Sequence, residues 1–169
     1  YKEVAKEIEK RVEAQGVHLM FGVTIDHMEQ ENGEKTAVLT DGSRIPADIV
    51  GLCIGTRAIT ETVQGEVEIG RGIVVDDHMR TSVPGIYAAG DCCEGNNLES
   101  GQNQIIGLWA NANHQGETAG INMAGGDMAY KGNILHNITH FMNMDFIGFG
   151  DNRMQGEVLE YGSLSEDLY

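Results

Sequence analysis

Only 11 of the 169 residues are Lys or Arg against 26 Asp and Glu, for a formal charge of −15. Such a field repels phosphate backbones, which excludes nucleic acid as an expected partner. Prolines number two and tryptophans one. No stretch approaches 18 consecutive apolar residues, and no charged-then-apolar leader opens the chain, so no membrane partner is expected and the localisation reads as cytoplasmic. The three cysteines, Cys53, Cys92 and Cys93, form no Cys-x-x-Cys spacing, which leaves zinc and iron–sulfur sites without support. A bridge between adjacent Cys92 and Cys93 requires strained geometry, and both read as ordinary loop residues. His136 and His140 share helical spacing with no Glu at 137, so the zinc-protease pattern is absent as well. Asp76, Asp77 and His78 are consecutive, and an extended chain points them in different directions, so no metal site is expected. Gly-x-Gly-x-x-Gly, the loop that usually cradles dinucleotide phosphates, is missing too.

What the chain does contain is organised around Thr81-Ser82-Val83-Pro84-Gly85-Ile86-Tyr87-Ala88-Ala89-Gly90-Asp91. Pro84 fixes its own φ and Gly85 accepts a positive one, so Val83-Pro84-Gly85 predicts a tight turn. Ile86 to Ala89 then reads as a short strand buried on both faces, with Gly90 and Asp91 at its carboxyl end. Open α/β sheets bind ligands there, and a carboxylate in that position accepts hydrogen bonds from sugar hydroxyls. A helix is expected from near Gln104, with apolar residues at 105, 108, 109, 112, 119 and 123, ending at Gly125-Gly126. Its amino end directs free N–H groups toward whatever Asp91 holds.

Upstream, Lys2 to Gln15 has the period of an amphipathic helix closed by Gly16. Val17 to Phe21 reads as a strand. Val23-Thr24-Ile25 starts a meander that turns at Asn32-Gly33, returns through Thr36 to Thr40, turns again at Asp41-Gly42 and ends on Ser43 to Ile45. Ile49 to Gly55 is a nearly continuous apolar run, the pattern of a central parallel strand open to a ligand at Gly55. Ile73 to Asp77 predicts another short strand. Beyond Gly126, strands are expected at Ile138 to Phe141, Phe146 to Phe149 and Glu157 to Tyr161.

The string TSVPGIYAAGD followed by WANANHQGETAGINMAG resembles the second FAD-binding motif of the pyridine nucleotide-disulfide oxidoreductase superfamily, in its NADH oxidase, NADH:rubredoxin reductase and nitrite reductase branch. The resemblance implies an α/β chain made of the closing halves of two Rossmann-like domains, with an antiparallel β meander and the start of a C-terminal α+β domain. Residues 1–58 then close an NAD(P)-binding domain, 59–126 close an FAD-binding domain, and 127–169 begin a domain that often forms a homodimer interface. It further implies FAD and NAD(P)H as cofactors of a full-length oxidoreductase, with oxygen, a redox protein or a disulfide as acceptor. Gly90 and Asp91 take the ribityl chain, the backbone at Leu108 and Trp109 faces the flavin pyrimidine edge, and Gly55 lies near the nicotinamide. Gly55-Thr56-Arg57-Ala58-Ile59 departs from the family's Gly-x-Arg-Pro-Asn-like crossover at Ala58 and Ile59. No residue stands out as a catalytic acid, base or nucleophile, and without the phosphate loops the piece alone is expected to bind flavin weakly or not at all. Two other readings remain: an acidic, non-catalytic docking or assembly module that borrowed the fold, and a flavin-dependent disulfide reductase.

Overall fold

The computed structural model describes residues 2–151, 157, 159 and 161–163. They fall into two compact units, one running up to Gly55 and the other beginning at Thr56.

In the first unit, α1 spans Lys2–Ala14. Val4, Ile8 and Val12 recur at four-residue intervals and form its half-buried row. On the wetter side Glu7 pairs with Arg11 at 2.9 Å, one turn on. Gly16, at φ 82°, ends the helix. Three strands follow, β1 (Ile25–Glu31), β2 (Glu34–Leu39) and β3 (Arg44–Pro46), in one antiparallel sheet of that order. Asn32 and Gly33 both take positive φ, 53° and 89°, the signature of the expected two-residue type I′ hairpin. Ala37 and Leu39, two apart on β2, are its buried residues. The meander is therefore as expected.

Two expected strands do not form. Val17 to Phe21 and Ile49 to Gly55 carry no strand pairing, and Ile49 and Ile54 are 90% and 87% exposed. An apolar run becomes a central strand only when neighbours take up its N–H and C=O groups on both sides. Among the described residues no strand lies beside either segment.

The second unit packs Val67, Ile73, Val75, Met79, Ala88, Cys93, Ala119 and Tyr130 into one core. Here too expected short strands give way to single bridges, the one over Ile73 to Asp77 among them. Ile73 pairs with Ile69 and Cys93, and Tyr87 with Arg80. Ile86 to Ala89 is thus not the doubly buried strand its composition predicts: Ala88 is buried, while Ile86 is exposed. The turn before it is as expected, with the Ile86 N–H donating to the Val83 carbonyl at 3.1 Å and Gly85 at φ 84°.

Short β4 (Gly95–Asn96) and β5 (Asn103–Gln104) pair antiparallel, which holds Gln104 in a ladder. The following helix, α2, consequently begins at Trp109 instead of near Gln104, and runs to Met123. The Gly126 N–H donates to the Ile121 carbonyl at 2.9 Å, closing the helix where Gly125-Gly126 predicts. The final described hairpin joins β6 (His136–Phe141) to β7 (Met144–Phe149) through Met142 and Asn143, both at positive φ. It is longer than the strands expected there. Of the strand expected at Glu157 to Tyr161, residues 158 and 160 lie outside the described residues, and 157, 159 and 161 carry no strand pairing.

The face that α2 buries differs in part from the sequence expectation. Ala119 points inward as expected, but so do Asn111, Gln115, Thr118 and Asn122, whereas Trp109 is 85% exposed. Buried polar side chains are tolerated when hydrogen-bonded, and each of these makes at least one such bond, although the Gln115 side-chain nitrogen makes none. The Asn122 amide donates to the His78 and Met128 carbonyls at 3.0 and 2.7 Å, and its oxygen accepts the Met128 N–H at 2.8 Å. Tyr130 donates its hydroxyl to the Asn111 side-chain oxygen at 2.5 Å. The Gln115 oxygen accepts the Gly90 N–H at 2.8 Å. So α2 carries a row of side chains that pins the loops crossing it, Gly90 among them.

Candidate functional site

A groove of about 640 Å³ opens on the second unit, with Thr56, Arg57, Arg71, Asp91, Gln104 and Gly107 in its wall. Asp91 reaches it because Gly90, at φ 84°, turns the chain out of the core while its N–H is held by Gln115. The Asp91 side chain is exposed and makes no hydrogen bond among the described residues. A Cβ on Gly107 would stand 3.9 Å from an Asp91 carboxylate oxygen, at ordinary contact distance. Gly107 is therefore the immediate neighbour of the carboxylate in the groove wall. The Leu108 N–H donates back to the Ile106 carbonyl at 2.8 Å, a tight turn at Gly107 that leads into α2. Leu108 is the N-cap residue and no side chain caps the helix, so first-turn N–H groups remain for a ligand or water.

The residues singled out from the sequence are thus distributed unequally. Asp91 lines the groove with Gly90 directly before it in the chain, and Leu108 and Trp109 form the start of α2 just past Gly107 in its wall. Gly55, at φ 101°, ends the first unit, and the groove's lining begins at Thr56. Sequence reasoning passed over Arg71, Gln104 and Gly107. Gly70-Arg71-Gly72 was the available signal, an arginine between glycines in a chain poor in basic residues.

Other candidate chemistry is tied up in structure. Contrary to the expectation from consecutive residues, Asp76, Asp77 and His78 bring their ligand atoms within 4.8 Å of one another. A tight turn does this, with the Met79 N–H donating to the Asp76 carbonyl at 3.1 Å. One oxygen of each carboxylate and both ring nitrogens are engaged. An Asp76 oxygen accepts the His78 and Arg80 N–H groups, both at 2.9 Å, and the His78 ring nitrogens face Asp77 at 2.6 Å and Asp127 at 2.9 Å. The Asp77 contact, with Asp127 behind it, raises the His78 pKa above the ordinary 6.5. The support this latch gives the fold is therefore present in full below that ordinary value, while the carboxylates stay ionised, and fades as pH rises through the raised one. Cys92 and Cys93 are free thiols. Burial pushes the Cys93 thiol up to about 12, far from the thiolate that nucleophilic chemistry needs.

With the groove defined, similarity to known proteins becomes informative. Residues 1–116 match the family described as pyridine nucleotide-disulphide oxidoreductase. The chain belongs to this family. It is 33% identical over 128 residues to an NADH oxidase of Enterococcus faecalis, covering 74% of this chain and 29% of that protein. An NADH-rubredoxin oxidoreductase of Clostridium acetobutylicum is 34% identical over 129 residues, covering 76% of this chain and 32% of the relative. Among solved structures, an NAD-dependent persulfide reductase from A. fulgidus superposes with TM-score 0.82 at 29% identity, over 90% of this chain and 29% of that one. The chain thus spans about a third or less of each of these family members. Its α/β class is that of these proteins, and no helix among the described residues is long and apolar enough to cross a membrane.

Proposed function

We propose that this chain is the closing part of an FAD-dependent NAD(P)H oxidoreductase. In this reading residues 1–58 complete an NAD(P)-binding domain, 59–126 complete an FAD-binding domain, and 127–169 begin an interface domain capable of homodimer formation. The observation that carries the reading is the exposed, unpartnered Asp91 carboxylate facing Gly107 in the groove before α2.

The residues present fit a flavin on physical grounds. An ionised carboxylate only accepts hydrogen bonds, so Asp91 suits the hydroxyls of a ribityl chain. Gly90 supplies the turn that brings Asp91 out, and Gly107 is its neighbour in the groove wall. The uncapped start of α2, at Leu108 and Trp109, offers N–H groups and the positive end of the helix dipole to a developing negative charge. Gly55 belongs to the nicotinamide side. When bound, flavin accepts a hydride from a reduced nicotinamide and passes the electrons onward. In this reading the chain contributes binding, orientation and electrostatics. Oxygen, a redox protein and a disulfide are the acceptor classes, in keeping with relatives named as NADH oxidase, NADH-rubredoxin oxidoreductase and persulfide reductase.

The direct test is the visible spectrum of the whole protein that carries this chain. It is expected to show flavin absorbance that bleaches when NADH or NADPH is added without oxygen. A colourless protein that stays colourless after incubation with FAD overturns the proposal.

A further inference from the structure

Arg71 stands at the tip of a three-residue loop whose base is anchored in the core. Ile69 and Ile73 bridge its base, and the Gly70 N–H donates to the Gly72 carbonyl at 2.9 Å. One oxygen of Glu94 accepts both the Arg71 N–H at 2.7 Å and the Gly72 N–H at 3.1 Å. Gly72 is sterically demanded by backbone, and a side chain at Gly70 would displace the Glu94 carboxylate. A Cβ on Gly70 would stand 2.5 Å from the Glu94 carboxylate, and one on Gly72 would stand 2.8 Å from the Cys92 carbonyl oxygen. The loop is therefore clamped onto residues 92–94, the segment that leaves Asp91, so Arg71 and Asp91 are held in fixed relation on one groove.

The charges at this groove run against those of the chain. Two of only 11 basic residues line it in a chain of net charge −15. Arg57 is paired with Glu61 at 2.9 Å, whereas the Arg71 guanidinium makes no ion pair among the described residues. Glu94, the nearest acidic group engaged with the loop, spends its carboxylate on backbone N–H groups. An exposed guanidinium without a carboxylate partner among the described residues, carried on a loop whose backbone is clamped, is matched to a phosphate, which it meets with two parallel N–H bonds. Asp91, in the same groove, is matched to hydroxyls.

We propose that Arg71 is the anion anchor of this groove, holding a phosphate group of a sugar or sugar-alcohol phosphate whose hydroxyls meet Asp91. Glu94 is its positioning residue. The identity of the ligand as a dinucleotide rests on the flavin reading above; the anion anchor itself rests on the loop. Either the flavin's own phosphates or those of the nicotinamide dinucleotide supply this chemistry.

The test uses the whole protein freed of flavin, with wild type, R71A, R71K and E94Q compared. Probes are FAD, riboflavin as the phosphate-free flavin, and inorganic pyrophosphate, with the KM for NADH measured on FAD-loaded enzyme. R71A should weaken FAD and pyrophosphate by about tenfold to a hundredfold, the range for losing a charge-assisted contact, and leave riboflavin unchanged. R71K should recover part of the loss, since a lysine keeps the charge without the planar fork. E94Q should give a smaller loss of the same pattern. A raised KM for NADH with FAD binding intact supports the anchor and assigns the phosphate to the nicotinamide dinucleotide. Equal weakening of FAD and riboflavin overturns it in favour of a structural role, as does pyrophosphate binding that is the same in wild type and R71A. Arg71-dependent pyrophosphate binding in a protein that takes no flavin keeps the anchor and removes the flavin reading instead.

Discussion

Ile49 to Gly55 and the inner face of α2 contradict their compositions in opposite directions. The first is apolar and stands exposed; the second is rich in amides and is buried, with Asn111 and Gln115 each 1% exposed. The difference lies in where each segment's hydrogen-bond partners come from. Each amide on α2 that turns inward meets a loop of the same unit through at least one hydrogen bond, so that burying it exchanges water for protein at those atoms. The backbone of 49–55 has no strand beside it among the described residues, and hydrophobicity alone cannot bury a segment whose N–H and C=O groups lack partners. At these two segments the partners of polar groups, more than apolar content, decide what is inside.

The largest effect expected from this contrast is at Asn122. Replacing it with Ala leaves the Met128 N–H and the His78 and Met128 carbonyls without their partner, and should cost about 3 kcal/mol in urea unfolding of this chain. A loss no greater than a surface substitution would mean that the buried amide row does not hold the loops. The smallest effect is at Ile54. Ile54→Ala should change the stability of this chain by less than about 0.5 kcal/mol, since its side chain is already in solvent. The same substitution in the whole protein should cost about 2–4 kcal/mol if further strands cover it, as a core truncation does. Equal small effects in both would leave 49–55 an exposed segment throughout and break the parallel-strand reading.

Legibility in the sequence follows the same division. Where a few adjacent residues determine the backbone, the reading held: Asn32-Gly33 turns the meander, Val83-Pro84-Gly85 turns the chain before the Gly-Asp pair, and Gly125-Gly126 stops α2. Where the outcome depends on distant partners, it failed. The start of α2 moved to Trp109 because Gln104 pairs with Gly95, nine residues earlier, a contact no local period reveals. Apolar spacing along α2 placed Ala119 correctly in the core but not Trp109 or Met123, and it missed the buried amides, because amide side chains count as solvent-seeking until their loop partners are known. At the groove, Asp91 was legible through its motif, while Arg71 and Gly107 became visible only once folding set them around it. The Asp76-Asp77-His78 cluster shows a reading of no metal site resting on faulty geometry: the side chains do converge, and it is Asp127 and backbone N–H groups that engage them.

One measurement bears most directly on the central claim that the Asp91 carboxylate grips a flavin. Whole protein carrying Asp91→Ala is purified beside wild type, and flavin content per protein is compared by visible absorbance, with circular dichroism checking that both are folded. The account predicts that the folded variant loses most of its flavin, since a carboxylate's hydrogen bonds to hydroxyls contribute about 1.5–3 kcal/mol apiece. A folded variant that retains the wild-type flavin content contradicts it.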